Sequence, residues 1–281
     1  MRRILTLLAV VATALPALSQ TEPDTVGVAV STSGGPSSLS DIVEAASRAD
    51  VLFLGELHDD SLAHVAQLHL LRALLDGDRP VVLALEMVET DVQPVLDEYL
   101  SGLIRERDWL AAGRPWSNYD DAYRPLVEHA RQSGAPVVAT NAPGRYVSLV
   151  SRRGVLGVLD SLSATARAWM PPEIAPPSDA VSVKFMDLMG GMAHGAGPSV
   201  EGMLAAQNLR DATMAWRIAD ALAAHPGALV VHLNGSFHSE GGLGIPEHLS
   251  RWAPAARALV VTMAPDAAPA PGDDFSVRTA R

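Results

Sequence analysis

Four short apolar runs in this chain each end on polar side chains that can take part in chemistry. The runs and their polar residues are Val51–Leu54 with Glu56 and His58, Val81–Leu85 with Glu86, Pro136–Thr140 with Asn141, and Leu229–Leu233 with His238. Short apolar runs separated by helical stretches predict an α/β fold with a central, mainly parallel sheet, flanked by helices and carrying helical insertions. The carboxyl ends of such strands open on one edge, where ligands bind, so we expect these side chains to meet there.

Helix capping is the alternative role for these polar residues, since each one stands where a helix begins. Glutamate and histidine are poor N-caps, however, and His58 and His238 each follow a glycine by three residues. We therefore expect Glu56, His58, Glu86 and His238 to form one shared site.

The remaining sequence outlines one α/β domain over residues 39–263. A fifth strand is predicted at Ala258–Met263, and helices are predicted at Ser40–Arg48, Asp60–Leu75, Thr90–Leu100, Ile104–Leu110, Asp121–Ser133 and Pro198–Ala224. Residues 20–38, rich in Ser, Thr, Gly and Pro, are expected to form a linker. Residues 264–281, rich in Pro, Ala and Asp, are expected to form a flexible tail. Residues 184–197 combine methionines with glycines and suit either a mobile lid or a poorly ordered excursion.

Residues 1–19 have the pattern of a secretory signal peptide. Arg2 and Arg3 precede an apolar run over Ile4–Leu15, and Ala17-Leu18-Ser19 offers small residues for cleavage before Gln20. The run is shorter than the ~20 residues of a transmembrane helix, although an uncleaved N-terminal anchor is the alternative. We expect a soluble periplasmic or secreted protein without a membrane segment after cleavage.

Composition narrows the range of partners. The chain has no cysteine, which excludes disulfides, a lipidated cysteine after the signal and covalent c-type haem. The net charge of −11 becomes −13 without residues 1–19, which carry two basic and no acidic residues. This negative charge argues against nucleic acid and anionic membrane surfaces, and it is compatible with metals and cationic ligands.

The residue types of the shared site suit two kinds of chemistry. Glu56 and His58 are two residues apart, so at a strand end they point to the same side. Together with His238 they could bind Zn, Mn, Co or Fe, with one carboxylate left free as general base on a metal-bound water. Without a metal, Glu56, Glu86, His58 and His238 could carry out general acid–base catalysis.

Most other histidines have less specific settings. His64 and His69 share one predicted helix, but a spacing of five residues turns their side chains about 140° apart. We expect each of the two to be packed or solvated. His232, inside the fourth run, is predicted to be structural. The histidines expected to be solvated, because they stand near helix ends, are His129, His225 and His248.

The long predicted helix carries polar residues on an otherwise apolar surface. Gln207, Arg210, Asp211 and Met214 follow the i, i+3, i+4, i+7 spacing of one helix face. This face could line the site, and the alternative is a solvated stripe.

The segment Asn118–Pro125 is a second polar and aromatic cluster, and it precedes another helix. A tyrosinate can ligate ferric haem and an arginine can pair with a propionate, which makes Tyr123 and Arg124 candidates for both roles. The alternative is a packed tyrosine whose hydroxyl is hydrogen-bonded.

Eight segments occur in the order found in a known family. They are VLFLGELHD at Val51–Asp59, QLHLLRAL at Gln67–Leu74, ALEMV at Ala84–Val88, QPVLDEYL at Gln93–Leu100, YDDAYRPL at Tyr119–Leu126, VVATNAP at Val137–Pro143, AQNLRDATMA at Ala206–Ala215 and VHLNGSFH at Val231–His238. Together these segments resemble the ChaN-like haem-binding uptake family. That family shares a superfamily with the Tiki proteases, the TraB proteins and the erythromycin esterases.

The resemblance implies an α/β fold with a mainly parallel sheet, and paired G-x-x-H histidines at His58 and His238. It also implies haem binding, with ligation by a tyrosine for which Tyr123 is the first candidate and Tyr146 the second. Other superfamily branches use the corresponding Glu and His residues for hydrolysis, in some cases with a metal. The chain departs from the lipoproteins common in this family because it has no cysteine to lipidate.

We therefore expect an exported protein that binds haem or, alternatively, a divalent transition metal (Zn, Mn, Co or Fe), and that acts in haem or iron uptake. The alternatives are a metal-dependent hydrolase acting on peptides or small esters, and a scaffold with a degenerate site. The sequence leaves open whether the protein forms a homodimer. Among the histidines we expect His238 to matter most for ligand binding, because it follows the most apolar strand. The candidate ligand-binding residues are Tyr123, Tyr146, Arg124, Asn141, Gln207, Arg210 and Asp211.

Overall fold

The computed structural model describes residues 26–189 and 199–280. Its strands are β1 (Ala29–Thr32), β2 (Gly35–Ser37), β3 (Val51–Glu56), β4 (Val81–Glu89), β5 (Val137–Asn141), β6 (Leu229–Gly235), β7 (Ala258–Ala264) and β8 (Phe275–Arg278). Its α-helices are α1 (Leu39–Ala46), α2 (Ser61–Leu75), α3 (Gln93–Leu100), α4 (Glu106–Gly113), α5 (Tyr119–Ala122), α6 (Arg124–Gln132), α7 (Gly144–Arg153), α8 (Ala164–Arg167), α9 (Asp179–Met189), α10 (Val200–Ala224) and α11 (Ile245–Trp252). Short 3-10 turns occur at Thr90–Val92, Leu156–Ser161, Ser236–His238 and Glu240–Gly242.

The strands form one sheet in the order β2-β1-β8-β7-β3-β6-β4-β5. All pairings from β8 to β5 are parallel. Strand β1 instead pairs antiparallel with both β2 and β8. The predicted α/β fold with a mainly parallel central sheet is thus confirmed.

Both faces of the sheet are buried, as is usual for parallel sheets. On one face, Leu52 and Leu54 of β3 join a core to which α1, α2 and α6 contribute. On the other face, Val51 and Phe53 pack with residues of α10 and α11. Successive residues of a strand point to opposite faces, so a strand covered on both sides is apolar throughout.

The carboxyl ends of β3, β4 and β6 lie side by side at one edge of the sheet. The register of β3 and β6 pairs Leu54 with Leu233 and Glu56 with Gly235. Strand β4 pairs Leu85 with the same Leu233, which brings the next residue, Glu86, to that edge. The predicted strand positions are confirmed, and β3 and β6 each run two residues beyond their apolar runs into the polar ends.

Two segments predicted to lie outside the domain belong to the sheet. Within the predicted tail at 264–281, Phe275–Arg278 forms β8 between β1 and β7, and Val277 is fully buried. Within the predicted linker at 20–38, β1 and β2 form a hairpin. Both predictions are wrong for these strands. The hairpin has one buried apolar residue, Val30, and β8 has two, Phe275 and Val277, which the surrounding Pro, Ser, Gly and Asp conceal.

Other predictions concern residues outside the described ranges. The predicted signal peptide at residues 1–19 lies there entirely. Of the segment 184–197, only residues 184–189 are described, and they form the last part of α9. Within residues 26–189 and 199–280, no helix is both long and apolar enough to cross a membrane.

A buried polar network behind the carboxyl edge starts at His232 of β6. Its Nε2 accepts from Thr140 Oγ1 of β5 at 3.0 Å. The strand between them carries the small residue Ala84 beside His232, which leaves room for this contact. His232 Nδ1 lies 3.0 Å from Asn234 Oδ1, and Asn234 Nδ2 donates to Ser239 Oγ at 2.8 Å. The network fastens the loop after β6 to the sheet.

These contacts define the charge of His232. Asn234 uses its amide nitrogen as a donor, so its oxygen accepts and His232 carries the proton on Nδ1. Burial lowers the pKa of His232 to about 3, against a weaker opposing effect of the Asn234 hydrogen bond. His232 is therefore a neutral structural residue, in agreement with the prediction. The prediction that His248 is solvated is wrong, because its ring is buried and contacts Asn208 Oδ1 at 2.9 Å.

The burial of β8 can be tested with two substitutions on that strand. Val277→Asp places a charge in the core without a partner, so it should lower the free energy of unfolding by about 3 kcal/mol or more. Arg278→Asp changes the neighbouring exposed position and should leave stability nearly unchanged. Urea unfolding followed by circular dichroism measures both. Equal stability of the two variants would show that β8 does not contribute to the fold.

The neutral state of His232 predicts acid sensitivity. Below pH 6.5 the unfolded chain takes up a proton at His232 that the folded chain refuses until about pH 3. Stability from this residue is thus complete above pH 6.5 and is lost as the pH falls, by about 2–3 kcal/mol down to pH ~4.5. In urea unfolding, His232→Gln should be less stable at neutral pH but show a shallower loss on acidification. His69→Gln, at an exposed position, should lose unfolding free energy with falling pH as steeply as the wild type does. If His232→Gln also lost it as steeply as the wild type, His232 would not be neutral in the folded protein.

Candidate functional site

Glu56, the last residue of β3, has a buried carboxylate surrounded by donors. Its Oε1 accepts from the Tyr123 hydroxyl at 2.5 Å and lies 3.1 Å from His58 Nδ1. Its Oε2 accepts from Gln67 Nε2 at 2.7 Å and lies at ion-pair distance, 3.2 Å, from His64 Nε2. Helix α2 supplies two of these four side chains, which ties the helix to the end of the strand.

The donors determine the ionisation of this cluster. Burial raises the pKa of Glu56, but hydrogen bonds from His58, His64 and Tyr123 together outweigh it and bring the pKa below its ordinary value. Glu56 is therefore ionised. Burial and the Glu56 charge raise the pKa of Tyr123 well above its usual range, so its hydroxyl keeps its proton. A fully buried, protonated tyrosine does not fit the predicted role of Tyr123 as an iron ligand.

His58 is the partly exposed member of the site, with 40% of its side chain accessible. Glu56 holds its Nδ1, whereas its Nε2 makes no hydrogen bond with any residue in the described ranges. Burial lowers the pKa of His58, but Glu56 and Glu86 outweigh this effect and raise it above 6.5. Trp116 packs edge-on against the ring at a centroid distance of 4.7 Å. His58 thus presents one free imidazole nitrogen beside an aromatic wall.

His238 is buried, and both of its ring nitrogens face carboxylates. Nδ1 lies 2.5 Å from Asp211 Oδ1 of α10, and Nε2 lies 3.4 Å from Glu86 Oε1 of β4. Burial opposes protonation, yet Glu86 and Asp211 raise the pKa of His238 and favour the imidazolium. With carboxylates at both nitrogens, His238 can bind a metal only by giving up one of these contacts. Its predicted roles as metal ligand and as the dominant ligand-binding histidine stay predictions.

Gly235 at the end of β6 lets the two histidines approach each other. Its backbone N–H donates to Glu86 Oε2 at 2.7 Å. A Cβ at this position would stand 2.9 Å from His58 Nε2 and 3.7 Å from His238 Cδ2. Only glycine leaves this space for the rings. The prediction that Glu56, His58, Glu86 and His238 meet at the carboxyl edge is thus confirmed.

The structure does not show the predicted metal site of Glu56, His58 and His238. Donor side chains surround both oxygens of Glu56, and carboxylates face both nitrogens of His238. Within residues 26–189 and 199–280, no group of three or more His, Asp or Glu side chains is arranged to hold a metal ion. The carboxylates orient the two histidines instead.

The site opens into a cleft of about 830 Å³. Its apolar walls are Leu57, Trp116, Leu188 and Phe237, and His58 is among its polar lining residues. The other lining residues are Glu56, Asp59, Ser117, Asn118, Gln207, Gly235, Ser236 and His238. Several walls come from the segments directly after β3 and β6, so the cleft lies where a parallel sheet usually binds its ligand.

Three residues of the predicted helix face contribute to the site or its surroundings. Gln207 lines the cleft, and Asp211 holds His238. Arg210 donates through Nη1 to Oδ1 of the buried Asn141 at 2.9 Å, so this pair stands at the end of β5. Met214 is buried in the core instead. The face is therefore not a solvated stripe.

Of the seven predicted ligand-binding residues only Gln207 lines the cleft, and two of the others, Arg124 and Tyr146, also contact none of the four site residues. Arg124 forms an ion pair with Glu106 of α4. Tyr146 packs in a separate apolar cluster formed by α7 and its neighbours, with the Arg145 guanidinium 4.4 Å above its ring. Arg124 sits in a segment that matches the family pattern and Tyr146 follows one, but packing directs both side chains elsewhere.

Sequence reasoning missed two members of the Glu56 cluster, His64 and Gln67. They are three residues apart on α2, a spacing that places both on one helix face. His64 was expected to be packed or solvated, and it is indeed buried, but against a carboxylate. His69 is exposed, as its different direction on the helix predicts.

Residues 42–249 match the model of a family described as haem-binding uptake, Tiki superfamily, ChaN. The chain is also similar to Protein RETICULATA-RELATED 5, chloroplastic, of Arabidopsis thaliana, with 26% identity over 239 residues. That match covers 78% of this chain and 31% of the relative. The chain thus spans about a third of the length of this curated relative.

Two solved structures have the same fold. ChaN of Campylobacter jejuni, described with cofacial haem binding, superposes with a TM-score of 0.67 at 19% identity, covering 89% of this chain and 96% of that one. The type III effector HopBA1 gives a TM-score of 0.50 at 12% identity, covering 85% and 91%. At these identities the likeness shows the fold alone.

Proposed function

The chain belongs to the haem-binding uptake family of the Tiki superfamily, and we propose that it binds haem in the cleft beside His58. The observation that carries this proposal is the free Nε2 of His58 at an aromatic wall. Haem iron is commonly held by a histidine. The cofactor would supply the iron and a flat apolar ring, and the cleft supplies an imidazole and apolar walls.

The cleft has the size and lining that this ligand needs. Its volume of about 830 Å³ falls within the usual range of roughly 300–1,000 Å³ for small-molecule sites. Leu57, Trp116, Leu188 and Phe237 offer apolar contact to a ring. Glu56 fixes the ring of His58 through Nδ1, in the way that a carboxylate orients a metal-ligating histidine. These features support His58 as the residue that would hold the iron.

The tyrosines of the chain support the choice of histidine over tyrosine. All four lie within the described ranges, and none lines the cleft. The hydroxyls of Tyr99 and Tyr123 donate to glutamates, and that of Tyr119 accepts from Trp109. Tyr146 packs in the α7 cluster. For any of these tyrosines to ligate the haem iron, its side chain would have to leave the position described above.

Haem titration tests the proposal. Hemin added to the protein should give a Soret band that saturates, and His58→Ala should weaken binding at least tenfold, about 1.4 kcal/mol. His69→Ala, an exposed histidine on α2, should bind as the wild type does. Circular dichroism checks that each variant is folded. No Soret change with the wild type, or equal affinity in a folded His58→Ala variant, would contradict the proposal.

A second candidate function is hydrolysis by general acid–base catalysis. The observation that favours it is the buried His238, whose pKa Glu86 and Asp211 raise and whose ring stands close to His58. An imidazolium can donate a proton to a leaving group. The metal-dependent hydrolysis expected from the sequence has less support, because the described residues offer no metal-holding group.

Ester hydrolysis tests this second candidate. With p-nitrophenyl esters, turnover should persist in EDTA, and His238→Ala should reduce it by about a hundredfold or more. His69→Ala should retain the wild-type rate. Turnover that EDTA abolishes, or that survives in His238→Ala, would argue against acid–base catalysis at this site.

We further propose that the protein is exported and acts in haem or iron uptake. Arg2, Arg3, the apolar run Ile4–Leu15 and the small residues before Gln20 support export. Mass spectrometry of protein recovered from an exporting host should find a chain that starts at Gln20. A chain with Met1 intact in the membrane fraction would contradict export.

That the protein forms a homodimer stays a prediction, which analytical ultracentrifugation can check.

A further inference from the structure

A second cavity, of about 370 Å³, adjoins the cleft. Leu188 and Gln207 line both spaces. Its walls are formed by α7, α9 and α10. Helices α7 and α10 pack closely at this place because Gly202 has no side chain; a Cβ there would stand 2.2 Å from the Ser151 carbonyl oxygen.

The charge of this cavity differs from that of the chain. Arg152 and Arg210 line it, and no acidic residue does. Neither guanidinium forms an ion pair with a carboxylate in the described residues, although the chain as a whole carries a net charge of −11. Arg152 Nη1 donates to Ser148 Oγ at 2.5 Å, which is a neutral partner. The amino end of α7 is not the source of positive charge, because Glu89 accepts from the Gly144 N–H.

Arg210 is held in place with most of its donors unused. Nη1 donates to the buried Asn141 Oδ1 at 2.9 Å, which fastens the guanidinium to the end of β5. No hydrogen bond from Nε or Nη2 to a described residue occupies the rest of the group. A guanidinium has five N–H donors in a planar fork that fits a carboxylate. Arg210 also adjoins Asp211 in the sequence, so it stands beside the residue that orients His238.

Gln207 marks the junction of the cleft and the cavity. Its Oε1 is buried and has no hydrogen-bond partner among the described residues. A buried amide oxygen without a partner is costly, and it leaves an acceptor that a group of another molecule can satisfy. Because the two ends of an amide can exchange places, Gln207 can donate to a carboxylate or accept from a carboxylic acid.

We infer that this cavity binds the carboxylate groups of the ligand whose ring occupies the cleft. The inference rests on the proposed haem function, and the groups are then the two propionates. Arg210, Arg152 and Gln207 receive them, while His58 faces the ring. The cavity thus sets the direction in which the ligand enters and selects porphyrins with free acid groups.

Paired porphyrins test this inference without relying on iron. Protoporphyrin IX and its dimethyl ester share one ring, but only the diacid carries carboxylates. By porphyrin fluorescence, the wild type should bind the diacid about tenfold more tightly than the diester, because charge-assisted hydrogen bonds are lost with the ester. Arg210→Gln and Arg152→Gln should each reduce this preference, and the double variant should abolish it. Arg153→Gln, the adjacent exposed arginine of α7, should keep it.

The outcomes separate this inference from the function on which it rests. Arginine variants that keep the full preference, or that weaken both porphyrins equally, would overturn the carboxylate site alone. Equal binding of the two porphyrins by the wild type would also overturn the carboxylate site, while the proposed haem binding would stand. A wild type that binds neither porphyrin and gives no Soret band with hemin would overturn both. Arg152 is exposed, so its variant keeps the test valid even if Arg210→Gln does not fold.

Discussion

The buried carboxylate of Glu56 is the interaction on which the rest of the site depends. A charge at the end of a fully covered strand is costly unless donors surround it. Here the donors come from the loop after β3, from α2 and from the residue between α5 and α6. One carboxylate therefore fixes the positions of three parts of the chain. It also decides which nitrogen of His58 remains available for a ligand.

The two histidines of the site have similar sequence motifs but different chemical states. His58 has one carboxylate partner and one free nitrogen, whereas His238 has carboxylates on both sides. His58 can present its free nitrogen to a ligand, whereas carboxylates already face both nitrogens of His238. This division reconciles the two candidate functions, because a ligand-binding group and an acid group stand beside the same Gly235. Loss of Asp211 or Glu86 would leave His238, like His58, with one carboxylate partner and one free nitrogen.

Much of the fold and the membership of the site could be predicted because both depend on local patterns. An apolar run with a polar end is visible in any short window, and parallel strands bring such ends together. The direction of each side chain depends instead on distant packing. The burial of Tyr123, the two carboxylates around His238 and the contact of His64 with Glu56 all follow from how α2 and α10 lie on the sheet. Strand β8 escaped prediction for a similar reason, since its burial depends on β1 and β7.

The position of β8 in the sheet has a consequence for how the protein matures. Strand β1, near the start of the described chain, reaches the main sheet only through β8, near its end. During synthesis the parallel core from β7 to β5 can assemble while the first hairpin has no neighbour to join. Contacts between such distant parts of a chain form slowly. The sheet is thus completed only after Phe275–Arg278 of β8 has been synthesised, and the first hairpin lacks its neighbour until then.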